Sequence, residues 1–399
     1  MSQTAAPAEV RRFVFAFAGL SLISGITIGM NKILGTLLGL QLAVTPWQLG
    51  VISGAETLAL ALGTLPAGRL LGRGDPRVGY AVVSLLLAAV FVLLPRLGQW
   101  QWVALAMFAA GLCISFRIVA MSTVFLLQLP RIGQAKAGWY KGSLTLGIQF
   151  AGPLIASYFT AQLGLTLAFG ISAALFVLLA LLGWLVLPAD TGAPRNAARA
   201  GLRQVLQLAE VRRVYLFEVL GSMTASAWGV FAILLAVRLL HWSAHNAVWL
   251  VALQGISYVA VLFFGGRWLL GAASERWYQT GHALILAGLL LAGLFHSDSA
   301  FVLAALAFGF GLGFNNLINF SRLAQAPVDK ASVSAHLTLF QMLGSAAGAM
   351  GSGWLGSHLG LQAVFLLWTA PWIITWPGWL RVWQRIARTP VVIANKETA

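Results

Sequence analysis

Stretches of about 20 mostly apolar residues recur along the whole chain, and no other feature limits its fold so strongly. Each is long enough to cross the hydrocarbon core of a bilayer as a helix, at about 1.5 Å per residue. In lipid the backbone must satisfy its own hydrogen bonds, which leaves helices or a closed barrel. The apolar runs are continuous, with no alternation of period two, and so they select helices. Of 399 residues, 59% are hydrophobic and 9% are charged, against roughly 45–50% and 25% in soluble domains. So few charges cannot cover a surface that faces water.

The spans read from the sequence are 13–36, 47–68, 79–95, 101–127, 141–160 and 163–187, then 214–238, 246–266, 280–296, 300–320, 334–356 and 360–380. The longest polar stretch, 188–213, lies between the two sets and holds Pro188, Pro194 and five arginines. The expected organisation is an N-terminal six-helix bundle over 1–187, a cytoplasmic linker over 188–213, and a C-terminal six-helix bundle with a cytoplasmic tail over 214–399. Within the linker, Gly201–Arg213 has the pattern of an amphipathic helix lying on the membrane surface.

The net charge of +15 invites a nucleic-acid reading, but its placement speaks for topology. Of 25 Lys and Arg residues, 21 fall in alternate connecting segments and termini, while the opposite loops hold only Arg96 and Arg238. By the positive-inside rule both termini face the cytoplasm of a bacterial inner membrane. Tryptophans near span ends (Trp47, Trp100, Trp102, Trp242, and Trp372 to Trp383) fit interfacial belts. Arg11 and Arg12 precede an apolar run too long for a signal peptide, so the first span is expected to be retained. The single cysteine, Cys113, excludes a disulfide framework, and the six histidines lack metal-ligand spacing. No cofactor, metal or nucleic-acid partner is expected. No phosphate-binding loop, nucleophile elbow or paired catalytic acids occur, which disfavours an ATP-driven pump or a membrane enzyme.

The two sets of spans echo each other. Gly68-Arg69-Leu70-Leu71-Gly72 corresponds to Gly266-Arg267-Trp268-Leu269-Leu270-Gly271, Gly111-Leu112 to Gly311-Leu312, and Leu144-Thr145-Leu146 to Leu337-Thr338-Leu339. Their shared order and offsets of about 193 to 200 point to an internal duplication with two halves facing each other. The loop after span 2 continues as Arg73-Gly74-Asp75-Pro76-Arg77. With Gly68 and Arg69 it resembles the cytoplasmic motif of the major facilitator superfamily, although Gly72 stands where that family usually has aspartate. Gly147 to Pro153 in span 5, with Gly152, is similar to the glycine–proline helix-bend motif of exporters. The resemblance covers nearly the whole chain. It implies an all-α membrane protein with twelve transmembrane helices in two pseudo-symmetric six-helix bundles, working as a monomer by alternating access. Gly29-Met30-Asn31-Lys32, Gly54-Ala55-Glu56 and Leu65-Pro66-Ala67-Gly68 look most like transporters associated with siderophores and other metallophores.

Ionisable side chains inside spans cost at least about 2.5–3.5 kcal/mol at mid-bilayer and persist where they are paired, hydrated or useful. The family fold lines its cavity with helices 1, 4, 7 and 10, and here these carry Lys32, Arg117, Glu218, and Asn315, Asn316 and Asn319. Arg117 is read as a substrate-binding guanidinium for an anionic solute, or else as a structural residue paired to a carbonyl or to Glu218. Glu218 and Glu56 are the acids placed within spans and so the proton-coupling candidates. Lys32 and Glu56 are expected to pair at an external gate, unless Lys32 snorkels to the interface. The asparagines, with Gln149 and Gln341, serve either as helix–helix glue or as cavity lining. Trp228 offers a stacking surface, or else packs in the core. Arg69, Arg73 and Arg77 either clasp the closing cytoplasmic side or act as topogenic charges. The resulting expectation is a secondary transporter of a small organic, anionic solute, coupled to protons and bathed in membrane lipid. A multidrug/proton antiporter, or a non-transporting membrane sensor on the same fold, are the alternatives.

Overall fold

Local chemistry sets where the helices begin and end. In the computed structural model, which describes residues 7–71, 75–132, 137–188, 206–270, 274–325 and 330–376, α1 spans Pro7–Gln41, α2 Pro46–Leu71, α3 Pro76–Leu93 and α4 Trp100–Ile132. Helix α5 comprises Ala137–Leu146 and Gly152–Leu163, joined by a π-helical turn at Gly147–Ala151, and α6 is Leu165–Val186. The second set is α7 Ala209–Leu239, α8 Ala244–Phe264, α9 Ser274–Leu294, α10 Asp298–Gln325, α11 Lys330–Leu359 and α12 Leu361–Ile374. Proline at the first helical position pre-sets the backbone of α2 and α3. Asp75 caps α3 by accepting from the Arg77 amide at 2.8 Å, and Ser243 caps α8 by accepting from the Asn246 amide at 3.1 Å.

These helices follow the predicted spans in order. Most run several residues further, because capped and polar ends extend beyond the apolar core of each span. Among the described residues, nine helices are long and apolar enough to cross a membrane. Helices α2 and α11 are also long, and they pack extensively on each other rather than facing lipid alone. Large apolar side chains on the outside, such as Leu185, Phe264 and Trp268, form the surface that lipid would cover. Helix α7 begins at Ala209, so Arg212 and Arg213 stand within its first two turns. Residues 189–205, with the first part of the predicted surface helix, lie outside the described residues, as do Gly72, Arg73 and 377–399.

The duplication is visible in the backbone. Ala43 and His241, in the loops that enter α2 and α8, are the positive-φ non-glycine residues among those described, at φ 50° and 54°. Gly164 and Gly360, at φ 83° and 90°, make the tight turns into α6 and α12. Both pairs are related by offsets close to those of the sequence repeats.

The halves meet along α2 with α11 and α5 with α8. At the end of the bundle that carries the α1–α2 loop, Gly50 of α2 lies against Gly353 of α11 so closely that a Cβ on Gly50 would stand 2.6 Å from the Ala349 carbonyl oxygen. The Trp47 amide donates to the Ser357 hydroxyl at 2.8 Å, Arg238 donates to the Val44 carbonyl at 3.2 Å, and Ser157 meets the ring of His245 at 2.7 Å. Among the described residues, all side-chain hydrogen bonds that cross between the halves lie toward this end. Gly353→Leu is expected to force α2 and α11 apart toward the usual spacing of about 8–10 Å between helix axes. A spin-label pair on Gln48 and Trp354 should report the longer distance, and an unchanged distance would show that the glycines do not set this seal.

Candidate functional site

A cavity of about 310 Å3 lies between the halves and draws its walls from α1, α2, α5, α7, α8, α10 and α11, with Trp372 of α12. That is the lower end of the roughly 300–1,000 Å3 typical of small-molecule sites. Its most organised feature is Glu218, which is 6% exposed. The carboxylate accepts three amide hydrogen bonds: from Asn316 Nδ2 at 2.9 Å, Asn319 Nδ2 at 2.8 Å and Gln341 Nε2 at 2.6 Å. Spacing explains two of these. Asn316 and Asn319 stand three residues apart on α10 and so share one face, and α11 brings Gln341 from the other side. No lysine or arginine nitrogen of the described residues lies within ion-pair distance of Glu218.

The opposite wall carries Lys32 and Glu56. Glu56 is 2% exposed and accepts from Asn31 Nδ2 at 2.5 Å. The expected Lys32–Glu56 ion pair is not formed: the two interact electrostatically, but Asn31 takes the direct contact and Lys32 turns into the cavity. Depth also differs from the expectation. Gly54 of α2 lies against Ala346 and Met350 of α11, and Gly344 and Gly348 of α11 lie against Val219 and Met223 of α7. Glu56 and Glu218 therefore sit at similar depth, within about one helical turn of each other.

The Gly147–Pro153 stretch does more than bend a helix. Gly147 and Gly152 seat the π-helical turn on the backbone of α1: a Cβ on Gly147 would lie 2.5 Å from the Leu22 carbonyl oxygen, and one on Gly152 2.6 Å from that of Ile26. The turn presents Gln149 to the cavity, and the Gln149 carbonyl packs on Gly255 of α8. Such turns recur at functional sites because they re-aim side chains within a helix.

Arg117 does not reach this cavity. It is 1% exposed inside the N-terminal half, where its guanidinium donates to Ser24 Oγ at 2.9 Å and to the Tyr80 hydroxyl at 3.4 Å. It lies over the rings of Tyr80 and Phe176, at 5.3 Å and 5.1 Å from their centroids. The side chain projects toward α1, α3 and α6. Trp228 is likewise core, fully buried against Phe308 and Phe365. Trp372 leaves the interfacial belt for the cavity wall and donates to Thr224 Oγ1 at 2.9 Å.

Asn315 lines the cavity and meets His282 Nδ1 of α9 at 3.1 Å. Of the loop motif, Gly68 and Arg69 fall in the last turns of α2, Asp75 caps α3, and Arg77 Nε donates to the Leu187 carbonyl at 2.6 Å. Arg77 thereby ties α3 to the end of α6 within one half. Three contributors escaped the sequence reading. Asn31 stood inside a quoted motif without a role, while Gln254 and Tyr258 are isolated polar residues in an apolar run of α8. Their one signal was that each interrupts a span.

Two like bundles of helices, most of them long and apolar enough to cross a membrane, enclose a polar cavity, the build of a multi-pass membrane protein with a small-molecule site between its halves. Residues 13–237 match the sequence profile of the Major Facilitator Superfamily, and the chain belongs to that superfamily. No curated protein sequence matches it. Among solved structures, the fold is similar to that of the nucleoside transporter NupG, with a TM-score of 0.73, 14% identity, and 93% of this chain and 99% of that one covered. A bacterial homolog of the human lysosomal transporter Spinster, in an inward-facing unoccupied conformation, gives 0.73 and 14%, with 93% and 96% covered. The human organic anion transporter MFSD10 gives 0.66 and 17%, with 93% and 99% covered.

The packing around Arg117 predicts a structural phenotype. Arg117→Ala is expected to cost about 2–4 kcal/mol, since it opens a cavity between Tyr80 and Phe176 and removes their contact with the cation. Solute affinity of the folded fraction should stay within about twofold, as the side chain lies outside the cavity. Thermal unfolding and ligand titration on the same sample separate the two effects, and a large affinity loss at unchanged stability would return Arg117 to the binding site.

Proposed function

We propose that the protein moves a small organic solute across a bacterial inner membrane by alternating access, with both termini in the cytoplasm. The observation that carries this reading is the polar cavity shared by the two halves. With the orientation taken from the placement of Lys and Arg, the end sealed by Gly50 and Gly353 faces outward. The halves would rock about the cavity so that this seal opens as the opposite end closes. One chain supplies every wall of the cavity, in keeping with a working monomer.

Glu218 and Glu56 are the carboxylates of the cavity and are proposed as the proton-coupling groups. An anionic solute, first inferred from Arg117, now rests on Lys32 alone, and nothing in the cavity favours a siderophore in particular. A second reading, a proton-coupled exporter of cationic drugs, draws on the same two carboxylates.

In liposomes with an imposed pH gradient, the wild type should accumulate a transported solute from a panel of nucleosides, organic acids, amino compounds and cationic drugs. Glu56→Gln is expected to lower gradient-driven accumulation at least about tenfold while solute exchange at equal pH continues. Equal loss of both activities would remove Glu56 from proton coupling. Ligand binding without flux of any panel member would favour a membrane sensor.

A further inference from the structure

Two charged side chains that line the cavity come from opposite halves, and among the described residues neither makes a direct ion pair. Lys32 of α1 turns into the cavity, and among the described residues its ammonium makes no hydrogen bond or direct ion pair. Glu56 acts on it only from beyond contact, because Asn31 holds that carboxylate. Glu218 of α7 is solvated by three neutral amides and has no counter-cation.

An ionised carboxylate offers about four acceptor positions. At Glu218 the three amides occupy two on Oε2 and one on Oε1, which leaves Oε1 able to accept one more donor. Each amide that donates through nitrogen also turns its carbonyl oxygen away from the carboxylate. Asn316 and Gln341 line the cavity, so their oxygens add acceptors to that wall. The C-terminal wall is therefore built to receive a donor-rich cation. The N-terminal wall, through Lys32, is built to receive an acceptor that carries negative charge.

Occlusion makes the match obligatory. When both ends of the cavity are shut and water leaves, an unpaired ammonium or carboxylate is strongly disfavoured in the low-dielectric interior. A solute of one charge leaves the other wall bare, and a neutral solute leaves both bare.

We propose that the cavity selects a dipolar solute, with a protonated amine held at Glu218 and a carboxylate or similar anionic group held at Lys32, bridging the two halves. This rests on the transporter reading above. Because each end of the solute binds a different half, a bound molecule draws the halves together around itself.

The test uses the full-length protein in nanodiscs and three probes of equal length: 6-aminohexanoate, hexylamine and hexanoate. Stabilisation against heat is titrated for each, with 4-aminobutyrate and 8-aminooctanoate as shorter and longer dipolar probes. The half-saturating concentration of the best dipolar probe should lie at least about tenfold below those of hexylamine and hexanoate, a difference of about 1.4 kcal/mol. Lys32→Gln should erase the advantage over hexylamine, and Glu218→Gln the advantage over hexanoate. Glu218→Asp keeps the charge but shortens its reach, and should move the optimum toward the longer probe; it serves also if the glutamine variant does not fold. Equal potency of the three equal-length probes, an advantage that survives both variants, or no stabilisation by any dipolar probe would overturn the proposal. Flux of a singly charged or neutral solute in liposomes, with no binding of the dipolar probes, would leave the transporter reading intact and sink this one. Binding with the expected variant effects but no flux of any solute would do the reverse.

Discussion

Lipid supplies no hydrogen-bond partners, so each polar group in this bundle must find one inside the protein or in the cavity. The charged side chains show three solutions to that constraint. Glu218 is solvated by the amides of Asn316, Asn319 and Gln341, and Glu56 by the amide of Asn31. Arg117 rests on the hydroxyls of Ser24 and Tyr80 and on two aromatic faces. Lys32 alone among these groups is left to the cavity. The first two solutions fix how helices face each other, because each ties residues from different helices together. The third leaves an ammonium among the groups that line the cavity.

Close backbone approach supplies the other half of the architecture. The π-helical turn of α5 sits directly on α1 and reaches α8 through the Gln149 carbonyl, while α2 and α11 meet at Gly50 and Gly353. Such contacts gain van der Waals packing without side-chain bulk and suit a medium in which burial of apolar surface drives little association. They also leave polar side chains on either side free to line the cavity. Helices α2, α5, α8 and α11 thus contribute both to the seal toward one end and to the walls of the cavity.

Much of the fold was legible in the sequence because twelve apolar stretches leave few alternatives to helices. Their ends were less so: Pro46, Pro76 and Ser243 begin helices beyond the apolar core of each span. The Glu218 cluster was partly legible, since Glu218, Asn316, Asn319 and Gln341 were each singled out as polar interruptions of apolar spans. The face of a helix was not. Each residue turns the helix by about 100°, and a helix apolar on every side carries no stripe to show which direction is inward. For Arg117 and Trp228 both a cavity and a core setting were therefore open, and the structure shows the core one for each. Depth counted from the end of each helix also misled for Lys32 and Glu56, because helices slide and tilt against one another. The contacts of α11 with both α2 and α7 set the true level.

The strained corners at Ala43 and His241 bear on the history of the chain. A left-handed backbone at a residue other than glycine is disfavoured by about 1–3 kcal/mol, and here it occurs at corresponding points of both halves. Glycine would relieve it, and the chain has 43 glycines elsewhere. Neither copy adopted that remedy, although alanine and histidine share no side-chain chemistry that would favour the conformation in common. What the two corners share is the path of the backbone into the next helix. The bend thus recurs where the side chain does not, as the internal duplication read from the sequence would have it.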